Sequence, residues 1–342
     1  MSNTNSSAQL LNSDRRNLLK TLGVSAFALN ASWQWGDAHA QAASWPNRPV
    51  RFIVPFVPGG TSDIMARTSA NELTRFLPFP VVIENKAGGG GSIGALEVMR
   101  APKDGYTIGM ATVSTTAANP AINPKVGYDP ITDFTPITNI AATPNIIAVN
   151  PSFPAKDFKT FMTVIKESPG KYTYSSSGTG GIGHLQTELF KSLTGVFIVH
   201  IPYRGAGPAM QDLIAGQVDI EFDGLGSSAP QIKNGAIVAL AVASQKRAPG
   251  FPNVPTAAEA GLVGYEVSTW YGLFAPKGTP QPIIDKMTAE VQKAINNPEL
   301  KTIWTNNGSD TPNLTGDAFA KFINADIKRW AAVAKASGAK LD

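Results

Sequence analysis

From residue 50 onward, short β-branched apolar runs alternate with stretches of helical periodicity, and this alternation constrains the fold more than any other feature of the chain. Strand-like runs are predicted at Val50–Pro55, Val81–Glu84, Thr107–Ala111, Ile146–Val149, Tyr172–Ser175, Phe197–Ile201, Asp219–Phe222 and Val238–Ala243. Helical patterns fall between them at Ser62–Phe76, Ile93–Arg100, Phe158–Glu167, His184–Leu193 and Gly207–Ala215. Such a chain is expected to build an α/β fold of mainly parallel sheets flanked by helices. The tail departs from the pattern. Pro282–Asn296, Pro298–Asn306 and Gly316–Ala336 predict three consecutive helices, and Phe319, Phe322, Ile323, Ile327 and Trp330 recur at the spacing of a helix laid on a core. Two Pro-flanked extended stretches, Ile137–Val149 and Tyr265–Ala275, are candidate crossings between two halves. If both cross, residues 144–265 form a second lobe inserted into a first lobe made of residues 43–143 plus 266–342.

At 342 residues the chain is long enough for about two domains. Residues 1–42 read as an address. Asp14-Arg15-Arg16-Asn17 precedes a modest apolar run, and small-residue sites end at Ala40 and Ala42. That layout is the one expected of a twin-arginine export signal. Its removal takes away three basic and two acidic residues and leaves a net charge of +3. Neither that charge nor the scattered Lys and Arg form the basic stripe a nucleic-acid partner needs. The absence of cysteine excludes disulfides, Cys-zinc sites and thiol nucleophiles. With two histidines left after residue 42, no metal site and no cofactor are expected.

The candidate chemistry lies in two strand–glycine turn–helix units. The first runs from Ile53 through Pro58-Gly59-Gly60-Thr61-Ser62-Asp63 into a helix. The second runs through Ser177-Gly178-Thr179-Gly180-Gly181-Ile182-Gly183-His184. Glycine lets the backbone approach a ligand closely, and the free N–H groups of a first helical turn favour an anion. Either turn could also need glycine for its geometry alone. Tyr203, Arg204 and Asp223 lie where strands meet loops, the usual ligand-facing edge of an open α/β sheet.

Three motif matches point toward enzymes instead. Gly89–Gly94 and Gly178–Gly183 both fit the dinucleotide G-x-G-x-x-G pattern, but the following strands end without the acid that would hold a ribose. Gly90-Gly91-Ser92-Ile93-Gly94 fits a nucleophile elbow, which makes a secreted serine hydrolase using Ser92 the alternative reading. Its weakness is that the last 142 residues contain no histidine to complete a triad.

Taken together, these residues resemble the Bug-type receptors of the tripartite tricarboxylate transporter family. The resemblance covers nearly the whole chain after residue 42. It is carried by Pro55–Asp63 with Ala66-Arg67, Glu84–Gly91, Ala101–Thr107, Val199–Gly205, Gly216–Asp219, Phe222-Asp223, Val254–Thr256, Trp270–Gly272 and Ala275–Pro280. It implies a two-lobed periplasmic-binding-protein type II ("Venus flytrap") fold, a monomeric periplasmic receptor that is not an enzyme, and a small carboxylate ligand. It also implies hand-over to the membrane subunits of a tripartite transporter, or in some members to a sensor kinase. Carried onto this chain, the ligand-binding residues are Gly59, Gly60, Thr61, Ser62, Asp63, Ser114 and Thr115 on one side. Thr179, Gly180, Gly181, Ile182, Gly183, His184, Tyr203 and Asp223 lie on the other. The chain departs from many relatives at Gly181-Ile182-Gly183, where those carry hydroxyl residues and a proline.

Overall fold

Strand β1 (Val50–Val54) is flanked in parallel by β2 (Val81–Asn85) and β3 (Thr107–Thr112), with Val50 opposite Val81 and Arg51 opposite Thr107. The computed structural model describes residues 45–339, so the expected export signal lies outside the described residues. On the far side of β3 the direction reverses: β9 (Ser268–Pro276) runs antiparallel, with Ala111 opposite Gly272. Next comes β4 (Phe134–Val149), a strand of 16 residues. Its stretch from Phe134 to Pro144 pairs with β9, and its last residues pair with β7 (Ile220–Gly224) and β8 (Val238–Val242). Beyond β7 lie β5 (Thr173–Ser176) and β6 (Val199–Pro202), both parallel to it or to each other. One strand thus belongs to two sheets.

The expected parallel pairings are present, and the first of the two Pro-flanked stretches runs through both sheets as β4, whereas β9, in the second, pairs only with β3 and β4. Among the described residues every antiparallel strand pairing involves β4 or β9: β3 with β9, and β4 with β7, β8 and β9. Pro136 lies beside a register shift in β4 and Pro144 at the end of its ladder with β9, the positions where a strand tolerates a missing donor.

The helices are α1 (Thr61–Leu73), α2 (Ser92–Met99) and a π-helical turn Ser114–Ala118 that runs into α3 (Asn119–Ile122). They continue as α4 (Phe158–Glu167), α5 (Ile182–Thr194), α6 (Ala206–Ile214) and α7 (Leu225–Lys233). The tail supplies α8 (Gln281–Ile295), α9 (Pro298–Asn306) and α10 (Gly316–Ser337). Helix α7 was not legible in the sequence because Gly226, Ser227, Ser228 and Pro230 are weak helix formers. Away from the loops, side chains cap helices in the ordinary way: Asp157 accepts from Thr160 N–H and Asn297 from Glu299 N–H. In α10, Phe319, Ile323 and Trp330 are buried as expected, whereas Phe322 is partly exposed and packs edge-on against Trp270 at 5.6 Å. Among the described residues no helix is long and apolar enough to cross a membrane.

Candidate ligand-binding site

The first loop leaves β1 and enters α1 through Gly59, whose φ of 95° demands glycine. Its shape is held from behind by Asp63. That carboxylate accepts from Gly59 N–H at 3.1 Å, Arg67 Nε at 2.9 Å and Asn85 Nδ2 at 2.9 Å. Burial alone would raise its pKa, but the bonds from Arg67, Asn85 and Gly59 prevail and hold it below the ordinary carboxylate range. Asp63, expected at the ligand, is a positioning residue whose oxygens are already engaged.

The second loop leaves β5 and enters α5 through Gly178 and Gly180, at φ values of 135° and 87°. Behind it three rings are stacked. Tyr174 lies on His200 at 4.7 Å, and His200 lies on His184 at 4.6 Å with the imidazoles 3° from parallel. Gly180 N–H donates to His184 Nδ1 at 3.4 Å, and Ser176 Oγ meets His200 Nε2 at 2.7 Å. Burial lowers both histidines, His200 to about 4 with the neighbouring His184 adding to the effect. His184 therefore supports the loop from below.

Between the loops lies a cavity of about 40 Å³, enough for a few small polar atoms. Four helices begin at its wall: α1 at Gly60–Ser62, α5 at Ile182 and Gly183, α6 at Ala206 and α7 at Gly224. Their N-caps are Gly60, Gly181, Gly205 and Gly224, none of which has a side chain to cap its own helix. In α1 the intrahelical bonds start with Asp63 N–H on Gly60 O, which leaves the N–H groups of Thr61 and Ser62 for another acceptor. Each helix start carries roughly half a positive charge. Among the described residues no Lys, Arg or His lines the cavity. The arrangement suits an anion bound by backbone dipoles.

Each loop also touches the opposite wall of the cavity. Ile182 N–H donates to Ser114 Oγ at 2.9 Å, and Thr61 is wedged against α7, where Ser227 N–H donates to its Oγ1 at 3.0 Å. Thr61 Oγ1 lies 2.8 Å from Ser227 Oγ, which in turn donates to Asp223 Oδ2 at 2.5 Å. Of the expected residues, Gly60, Thr61, Ser62, Ser114, Ile182, Gly183 and Asp223 line the cavity. Thr179 and Tyr203 line a second cavity of about 300 Å³ between Gly88–Gly91 and Pro202–Arg204. Thr115 is turned to its own strand end, bonding Thr112, and Tyr203 donates to Asp212 at 2.7 Å. Gly59, Gly180 and Gly181 shape the turns without forming the cavity wall.

Sequence reasoning missed the floor. Asn145 donates to Gln186 Oε1 at 2.7 Å and accepts from Thr269 at 2.9 Å, while Gln186 donates to Phe222 O at 2.8 Å. Tyr271 beside them has its phenol pushed up by burial and by Asp223. Polar residues inside the two extended stretches were the available signal, because a buried strand carries Asn or Thr only where a partner waits.

Residues 65–339 match the tripartite tricarboxylate transporter family receptor. The chain belongs to this receptor family. It is 34% identical over 305 residues to protein BugT of Bordetella pertussis, covering 89% of this chain and 94% of BugT. The structure of R. palustris Rpa4515 with adipate is similar at a TM-score of 0.84 and 37% identity, covering 87% of this chain and 100% of the other. The structure of the periplasmic binding protein BugD is similar at a TM-score of 0.84 and 34% identity, covering 86% and 99%.

The receptor accordingly has the two-lobed binding-protein fold, and its structural neighbours are solute-binding proteins rather than enzymes. Ser92, the alternative nucleophile, opens α2 while both histidines are engaged elsewhere, with Ser176 and Gly180.

Proposed function

We propose that this receptor closes two lobes, residues 43–143 plus 266–342 and residues 144–265, around a small carboxylate-bearing solute in the periplasm. It then delivers that solute to the membrane subunits of a tripartite transporter. The reading is carried by one observation: four glycine-capped helix starts point into a single cavity that no cationic side chain lines. Adipate in the Rpa4515 structure supports the ligand class. The first-lobe contacts are the N–H groups of Thr61 and Ser62 with the hydroxyl of Ser114. The second-lobe contacts are Gly183 N–H, Ser177 and Asp223. Ligand contributes by binding the closed arrangement more tightly than the open one. The paired Arg15 and Arg16 support export by the twin-arginine route.

Thermal-shift and calorimetric screening of the purified receptor against three- to eight-carbon mono- and dicarboxylates tests this. Saturable binding of at least one acid is expected, with loss on Gly183→Trp. A receptor that binds none of them, yet melts cooperatively, refutes the ligand class.

A further inference from the structure

Among the described residues the cavity is lined by one carboxyl, that of Asp223, and a second carboxyl stands directly behind it. Glu221 lies two residues earlier on β7, so both side chains leave the same face of the strand. Glu221 is 2% exposed, and its Oε2 has no hydrogen-bond partner. Neither carboxyl is in an ion pair with Lys or Arg among the described residues. The other ionisable group facing Asp223 is Tyr271 on β9. Tyr203, beyond Glu221, is bonded to Asp212 of α6. Helix α1 presents Thr61, its Asp63 being occupied by Arg67, and α7 presents the Ser227 hydroxyl.

The positive side of the balance is the four helix starts, roughly two elementary charges in total at half a charge each. With Glu221 kept neutral by its apolar burial, that field matches an ionised Asp223 plus one ligand carboxylate. A second ligand carboxylate leaves one negative charge too many in a closed, poorly solvated space. We propose that the receptor captures a dicarboxylate together with one proton, which Asp223 takes up as the lobes close. The proton sits on the Asp223 carboxyl, which then no longer needs the Ser227 hydroxyl as donor and can donate to the ligand. Burial, which raises Asp223 above the ordinary carboxylate range, acts in the same direction.

This rests on the receptor reading above. The test is calorimetry of the purified receptor at pH 7 with succinate and adipate, and with their monocarboxylate counterparts butyrate and hexanoate. Each is measured in two buffers of different ionisation enthalpy. A dicarboxylate is expected to bind with uptake approaching one proton and to weaken by up to about tenfold per pH unit above neutrality. A monocarboxylate is expected to take up close to none. In Asp223→Asn the dicarboxylate uptake should vanish, whereas Glu221→Gln should keep it. Dicarboxylate binding without proton uptake overturns the proposal and leaves the receptor reading intact. So does equal uptake by the monocarboxylates, uptake that survives Asp223→Asn, or uptake lost in Glu221→Gln. Binding of none of the four acids overturns the proposal, and it overturns the receptor reading as well only if the wider acid series also fails.

Discussion

Gly226 lies inside α7, where alanine should be the better helix former by about 0.8–1 kcal/mol. The structure nevertheless places a methyl at this position 2.7 Å from Thr61 Cγ2 and 3.5 Å from Met65 Cε. Thr61 is 3% exposed, and its hydroxyl is fixed to Ser227, so its methyl cannot turn away without breaking those bonds. The collision exists only when the two sides of the cavity are together. Gly226→Ala should therefore leave the free protein's melting temperature unchanged or slightly raised while destabilising the closed state. Overpacking of this kind costs about 1–3 kcal/mol, which corresponds to roughly 5- to 150-fold weaker ligand binding. Calorimetry measures the affinity, and small-angle scattering with saturating ligand reports the failure to contract. Thr61→Ser removes the offending methyl and keeps the hydroxyl, so the double variant should return to within about threefold of wild type, the two sites being directly coupled. Wild-type affinity in Gly226→Ala, or no rescue by Thr61→Ser, would refute the wedge argument.

Three further outcomes are expected. Ser114→Ala removes the acceptor of Ile182 N–H and should weaken binding by about five- to tenfold through loss of about 1 kcal/mol in the closed state, with the melting temperature of the free protein unchanged. Asp63 has a lowered folded-state pKa, so its stabilising effect is present above the ordinary value of 3.8 and is lost as pH falls through the folded value. Thermal melts of Asp63→Asn should be lower than wild type at pH 7 and converge with it in acid. His200 is also depressed, to about 4 from 6.5, but as a base it is neutral when buried, so wild-type stability should be complete above about pH 6.5 and decline progressively toward pH 4. His200→Gln should flatten that slope, and an unchanged slope in melts across this range would count against the ring stack.

The local units were legible in the chain's own residue pattern. Periodicity placed α4 and α9 at their observed limits, and glycine turns followed by helical patterns marked both loops, because backbone freedom and helix starts are written in neighbouring residues. The same pattern also marked the extended stretches Ile137–Val149 and Tyr265–Ala275 that hold β4 and β9 through their flanking prolines, though not that β4 would serve two sheets. Which of the loop residues face the cavity is settled by long-range packing instead. Asp63 and His184 sit beside the correct glycines in sequence, yet each turns its polar atoms to the back of its own loop. Asn145, Gln186, Tyr271 and Ser227 come from four separate elements and share no local pattern. Their meeting depends on β4 running through both sheets beside β9 and on Thr61 fitting between Gly224 and Gly226. Those are long-range packing events, and a one-dimensional pattern does not carry the distance between residues separated by 166 positions.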